Sequence, residues 1–447
     1  MHYSPGAPIL RSGDLVNWEL IGHSVPSLDF GEKYNLTNGH AYRGGTWAST
    51  MRFRKSTGLW YWIDCVDFWY TYIYTAKDVT GPWTRAAVLP GGTCYYDCGL
   101  LIDNDDTMYV VYGSSDVSIA QLSKDGLSQV ETKHVFSASD DGLYYILDDH
   151  PGDITYIWKS ETPWGPYESK ILVNGIKSPV PNGGAPYQGS LIQASTGDWY
   201  YMSFTWEYPN GREDGFPFFV ADESGGWGSS YLTPLPVKAV QKWACTDAFD
   251  DSTLGPDWEW NHNPDETKYK AGNGGVTLST ATVTDDLYAA RNTLTHRIHG
   301  EFPVGTLQVD FTNMADGDRF GLAAFRNRTA YIGIHYDGSK YTLSVVHNIT
   351  QEEYAWNTTD LGDIVATTTD IPKYKTIWLR ASLDARASGS YAANFSYSID
   401  GQKFTQLGEP YTMYTDWAYF MGYHFGIFNY ATKKLGGSIR ALSFTGA

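Results

Sequence analysis

A chain of 447 residues has room for two or three domains. Only 18% of it is charged while aromatics reach 16%, so it can bury enough apolar surface to fold, and its Tyr, Trp and Gly suit strands and turns better than a helical bundle. The net charge of -18 argues against a nucleic-acid partner, and no uninterrupted apolar stretch is long enough to be a membrane-spanning helix.

The first residues, Met1-His-Tyr-Ser-Pro-Gly-Ala-Pro, have neither the basic region nor the apolar region of a signal peptide, which points to a start downstream of the true one. Aromatic strands then recur: Trp60-Tyr-Trp62, Met108-Tyr-Val-Val-Tyr112, Leu143-Tyr-Tyr-Ile-Leu147 and Trp199-Tyr-Tyr-Met202. Each follows a turn of Ser, Thr, Asn, Asp or Gly (Ser56-Thr-Gly58, Asn104-Asp-Asp106, Asp140-Asp-Gly142, Ser195-Thr-Gly-Asp198), residues that tolerate the tight hairpin backbone. Gly81-Pro-Trp83 and Gly165-Pro-Tyr167 form a second recurring signature, and Asp14-Leu-Val-Asn-Trp18 plays the same part near the start. About five such units precede residue 235, the repeat of a five-bladed β-propeller. The strand starts near 60, 109, 144 and 199 are separated by 49, 35 and 55 residues, and the short middle step implies something compressed between Val135 and Gly142.

Thr233-Pro-Leu-Pro-Val-Lys238 reads as an extended linker. After Thr246 the pattern changes to alternating runs such as Leu307–Phe311, Tyr331–His335, Thr342–Val346 and Thr376–Ala381, the signature of an antiparallel β-sandwich. The expected architecture is all-β: a propeller over 1–235 and a sandwich over 236–447. Trp258 and Trp260 stand at strand spacing with His262 nearby, and core packing suits the two tryptophans better than sugar binding.

Four cysteines, Cys65, Cys94, Cys98 and Cys245, leave room for one structural disulfide without saying which. Cys94 and Cys98 have no His at finger spacing, so zinc is a weak reading. Five Asn-x-Ser/Thr sequons, at Asn35, Asn327, Asn348, Asn357 and Asn394, lean toward a secreted glycoprotein.

Tyr3-Ser-Pro-Gly-Ala-Pro-Ile-Leu10, Asp14–His23, Gly45-Thr-Trp-Ala-Ser-Thr50, Cys94-Tyr-Tyr-Asp-Cys-Gly-Leu-Leu-Ile-Asp103 and Gln188-Gly189 come in one order, followed by Trp258–Asp265 and Ala289–Thr295. Together they resemble glycoside hydrolase family 43, nearest its fungal α-L-arabinofuranosidases with a C-terminal concanavalin-like sandwich. The resemblance implies an inverting exo-glycosidase acting on arabinoxylan or xylo-oligosaccharides of plant cell walls, secreted, monomeric and without a cofactor; β-xylosidase specificity is the near alternative. Inversion needs two carboxyl groups about 6.5–9.5 Å apart with a water between base and sugar. The family adds a third carboxylate that tunes the acid, and Asp97 matches it.

Two of the three carboxylates have no match. The base belongs to a Pro-Asp motif upstream of Tyr3, so the resemblance implies that the propeller's first blade is incomplete; the acid belongs to a Glu-Gly motif where Phe136-Ser-Ala-Ser-Asp-Asp141 runs straight into Gly142. The chain is therefore expected to hydrolyse poorly, as a pseudoenzyme or an incomplete gene product. Tyr187 stands where many relatives carry a channel-lining His, so no metal is assigned. Gln188 either bonds within the channel or satisfies buried backbone. Trp47 reads as a pocket wall or a core residue, and Arg212 as a substrate-reaching arginine or a solvated loop residue. Trp206 and Tyr208 read as a rim platform or exposed strand ends. Asp64 and Asp67, at the end of an inner strand before Trp69 and Tyr70, read as channel-facing acids or, the better fit, as turn or solvent-facing ones, and Asp140 and Asp141 as a hairpin turn.

Overall fold

In the computed structural model the described residues are 1–113, 116–137, 147–150, 154–174, 183–207, 212–214, 232–240, 245–369, 371, 375–386, 388–416, 418 and 421–447; at 147–150, 154–156, 172–174, 183–190, 201, 203–207 and 212–214 only the backbone is described. The chain divides into two compact units. The first comprises Met1, Gly6–Pro26 and Gly44–Val240; the second comprises His2–Pro5, Ser27–Arg43 and Gln241–Ala447.

The first unit contains five small antiparallel sheets in chain order. Gly6–Ser12 pairs with Trp18–Val25. Thr50–Arg54, Leu59–Val66, Tyr70–Ala76 and Thr84–Val88 form the second meander, and Gly99–Ile102, Met108–Tyr112, Asp116–Leu122 and Gln129–Ser137 the third. Leu147–His150, Ile154–Lys159 and Glu168–Asn174 form the fourth, and Gly183–Gln193, Trp199–Glu207 and Arg212–Asp214 the fifth. The first strands of the second and third meanders lie against each other, as do those of the fourth and fifth. Five short antiparallel sheets in chain order, with leading strands in contact in those two pairs, correspond to the blades of a β-propeller, the fold class that the repeat implies. The strand expected at Leu143–Leu147 lies outside the described residues except for Leu147.

The turns form where the sequence places φ-tolerant residues. Gly58, at φ 66°, donates its N–H to Arg54 O at 2.9 Å and closes the first hairpin of the second meander. Asp106, at φ 71°, closes the corresponding hairpin of the third. Its carboxylate accepts from the buried Arg54 guanidinium at 2.7 and 3.0 Å, so the hairpin ends of neighbouring blades are locked together. Between those blades lies a core of Tyr61, Ile63, Ile73, Leu100, Met108 and Val110.

The second unit is a sandwich of an eight-stranded and a nine-stranded antiparallel sheet. Their inner faces share Leu307, Val309, Phe320, Leu322, Ile332, Ile377, Phe395, Phe425 and Phe444. At about 1.5–3 kcal/mol for each fully buried side chain of this kind, this core is the dominant stabilising contribution of the unit. Trp258 and Trp260 lie in it, both almost fully buried. Two segments from early in the chain complete the unit. Tyr3–Ser4 is an edge strand on Trp258–Asn261. Tyr42 accepts from Asn261 Nδ2 at 2.8 Å, and His262 Nε2 accepts the Ala41 N–H at 2.8 Å. The 233–238 segment carries no regular secondary structure.

Candidate active site

Trp47, Asp64, Phe68, Tyr96 and Asp97 come together at one end of the second and third blades. Trp47 lies just before the leading strand Thr50–Arg54, and Asp97 just before the leading strand Gly99–Ile102. The strand Leu59–Val66 runs antiparallel to Thr50–Arg54, so its end, with Asp64, returns to the start of those two strands. The loops are pinned there. The Cys98 N–H donates to Ala48 O at 3.3 Å, and the Leu100 N–H donates to Thr50 Oγ1 at 2.9 Å.

The disulfide that the sequence left open is Cys65–Cys94. It closes a 29-residue separation, which in the chain-entropy account stabilises by about 3.5 kcal/mol. On its other side the Cys98 thiol donates to Ile63 O at 3.5 Å. The tripeptide Ile63-Asp64-Cys65 is thus tied at both ends to the segment Cys94–Cys98 that carries Asp97.

Asp64 is no turn or solvent-facing acid, which corrects the expectation for it. It is fully buried, and its Oδ2 accepts the Trp47 N–H at 2.7 Å. Its Oδ1 is buried with no hydrogen-bond partner. Burial pushes its pKa up to about 7, helped by the nearby Asp97 carboxylate and opposed by the N–H groups of Trp47 and Cys65. The same surroundings, burial first and then Asp64 and Asp97, push the Cys98 thiol up as well. Asp64 therefore holds a proton through the mildly acidic range, and one of two neighbouring carboxyls can stay neutral beside the other. Asp67, by contrast, does sit in the turn, at φ 56°.

Aromatic rings border the carboxyl pair. The half-buried Trp47 ring lies 6.0 Å from Phe68, and Phe68 lies 6.2 Å from Tyr96, the residue before Asp97. Asp97 itself has φ 49°, a left-handed conformation that Asp adopts more readily than most residues. Phe68 has φ 53°, where a side chain costs about 1–2 kcal/mol.

Of the residues singled out in the sequence, Trp47, Asp64 and Asp97 meet in this cluster. Tyr187 and Gln188 lie on the strand Gly183–Gln193 and Arg212 opens the strand Arg212–Asp214, but the side chains of all three lie outside the described residues, as does that of Trp206. Tyr208, Asp140 and Asp141 lie outside them entirely. Among the described residues no group of three or more His, Cys, Asp or Glu side chains is placed to hold a metal ion. Sequence reasoning passed over Phe68 and Tyr96 and underrated Asp64. The one local signal for Asp64 was its place beside Cys65, and it required knowing that Cys65 pairs with Cys94.

Residues 1–216 match the model of the glycosyl hydrolases family 43, and residues 246–440 match the β-xylosidase C-terminal concanavalin A-like domain. A β-xylosidase of Formosa agariphila is 26% identical over 99% of this chain and 85% of its own length. A non-reducing end α-L-arabinofuranosidase of Bacteroides ovatus is 28% identical over 59% of this chain and 56% of its own. Among solved structures, an engineered GH43 glycoside hydrolase displaying both endo-xylanase and exo-arabinofuranosidase activity superposes with a TM-score of 0.92. It is 39% identical, over 100% of this chain and 94% of that one.

Proposed function

The chain belongs to glycosyl hydrolase family 43, and on that premise we propose that it recognises arabinoxylan and is built to release α-L-arabinofuranosyl side chains from it by inversion. The observation that carries this reading is Asp97, held beside the buried Asp64 at the blade end where the half-buried Trp47 and Tyr96, the residue before Asp97, also lie. A pentose presents C–H faces that stack on aromatic rings and hydroxyls that carboxyl groups can bind. In this reading Asp97 is the counterpart of the family's third carboxylate, whose part in complete members is to orient the acid and tune its pKa. The arabinose preference rests on the 39% identical neighbour with exo-arabinofuranosidase activity. The Formosa agariphila relative and a putative β-xylosidase of Xylanibacter ruminicola, 26% identical over 91% of this chain, favour the second reading, β-xylosidase.

Turnover by this chain is proposed to be weak. Between Glu131 and Glu161 the sequence holds no glutamate, so the Glu-Gly motif of the acid has no counterpart there. Loss of one member of a catalytic set costs orders of magnitude in rate. The Cys65–Cys94 disulfide supports secretion into an oxidising compartment.

The test is chromatography of sugars released from arabinoxylan, together with calorimetry on arabinoxylan oligosaccharides, for the wild type and Asp97→Asn. Binding that weakens in the variant, with arabinose as any product, is the expected result. Xylose as sole product moves the assignment to β-xylosidase. Neither binding nor release removes the reading.

A further inference from the structure

The turn Val66-Asp67-Phe68-Trp69 joins Leu59–Val66 to Tyr70–Ala76 and is closed by the Trp69 N–H donating to Val66 O at 3.2 Å. Both central residues have positive φ, 56° at Asp67 and 53° at Phe68, the combination of a type I′ turn. Such turns favour Asn or Asp followed by Gly. Asp67 fits. Phe68 does not, because its Cβ crowds the backbone in this conformation.

Burial does not compensate for that strain, since Phe68 is 61% exposed. Two unfavourable features, a left-handed backbone and a wetted ring, thus coincide at a residue between Trp47 and Tyr96, next to the carboxyl pair. Backbone outliers that persist against the local preference cluster at functional sites. Trp69 and Tyr70, 54% and 42% exposed with rings 6.4 Å apart, follow on the same hairpin, so the hairpin exposes more aromatic surface than one sugar ring covers. The net charge of -18 disfavours an acidic polysaccharide and suits a neutral one.

We infer that Phe68 is a specificity-determining residue that stacks on the pyranose faces of a neutral xylan main chain, beside the pentose bound at Asp97. The inference rests on the arabinoxylan reading above and deepens it, by assigning main-chain recognition to a residue separate from the carboxyl pair.

The experiment compares the full-length wild type with Phe68→Gly and Phe68→Tyr, by calorimetry on linear xylohexaose and on arabinose and by thermal unfolding. Glycine relieves the backbone, so Phe68→Gly should melt no lower than wild type. Its affinity for xylohexaose should fall about tenfold, or about 1.4 kcal/mol, with arabinose binding unchanged. Phe68→Tyr should bind as wild type does. Equal xylohexaose affinity in wild type and Phe68→Gly overturns the inference and leaves the arabinoxylan reading standing. A melting point lowered by several degrees in Phe68→Gly makes the ring structural and overturns it too. A wild type that binds neither sugar removes the underlying reading and the inference with it.

Discussion

Replacing Asp64 with Asn should change how the stability of the first unit depends on pH. In the unfolded chain an aspartate titrates near pH 3.9, whereas the buried Asp64 titrates at about 7. Below pH 4 both states are protonated and Asp64 carries no electrostatic cost. Between pH 4 and 7 the unfolded state releases its proton first, so the stability present at low pH is lost as pH rises, fully so above 7. A shift of about three units at 1.36 kcal/mol each makes this loss about 4 kcal/mol. Asparagine keeps an acceptor for the Trp47 N–H and never ionises, but it buries an NH2 group where Oδ1 now has no partner. That costs about 1–3 kcal/mol at every pH. Asp64→Asn should therefore be less stable than wild type at pH 4 and more stable at pH 8, with the difference swinging by about 4 kcal/mol. Calorimetric unfolding of both proteins at intervals from pH 4 to 8 measures that swing. Parallel pH profiles for the two proteins would refute the burial argument for Asp64, whatever their absolute stabilities.

Two further outcomes follow from other parts of the chain. The fully buried Asp14 accepts the N–H groups of Val16, Asn17 and Lys238 at 2.7–2.9 Å, tying the first blade to the end of the first unit. Asp14→Ala should destabilise that unit by about 3 kcal/mol in denaturant unfolding and Asp14→Asn by clearly less, because asparagine keeps one oxygen for the Val16 and Asn17 N–H groups while alanine leaves all three donors without an acceptor; equal losses would count against the capping role. In a secreting eukaryotic host, peptide mass spectrometry should find glycan on the exposed Asn348 and Asn357 and none on Asn327, which is 2% exposed; glycan on Asn327 in the folded protein would contradict its burial.

The parts of this structure that could be read from sequence are those written in local chemistry. Turns such as Ser56-Thr-Gly58 and Asn104-Asp-Asp106 announce themselves, because few residues accept a positive φ. Alternation at Trp258 and Trp260 puts both rings on one face, and that face is the core. What stayed hidden depends on contacts distant in sequence. Asp64 is held buried where the Trp47 backbone N–H meets it and Cys65 bonds to Cys94, neither of which leaves a mark at residue 64. Tyr3 pairs with Asn261, and nothing in Met1–Pro5 signals a partner so far along the chain. The Phe68 turn was missed for the opposite reason: its sequence argues against the conformation it adopts.

That mismatch bears on whether the cluster is a site at all. Within five residues, 64 to 68, the chain holds a buried carboxyl group, with one oxygen unpartnered and an ionisation that folding opposes, and an aromatic residue in a left-handed turn. Each is unfavourable alone, and an alanine or glycine would remove it. The segment persists because the Cys65–Cys94 bond, worth about 3.5 kcal/mol, and the pinning of Cys98 and Leu100 to the neighbouring blade fix its frame. A frame that held only an ordinary hairpin would have no use for such residues. Strain gathered in one place and offset by reinforcement beside it is what a binding site requires, because the exposed Phe68 ring held there is left for a ligand to cover.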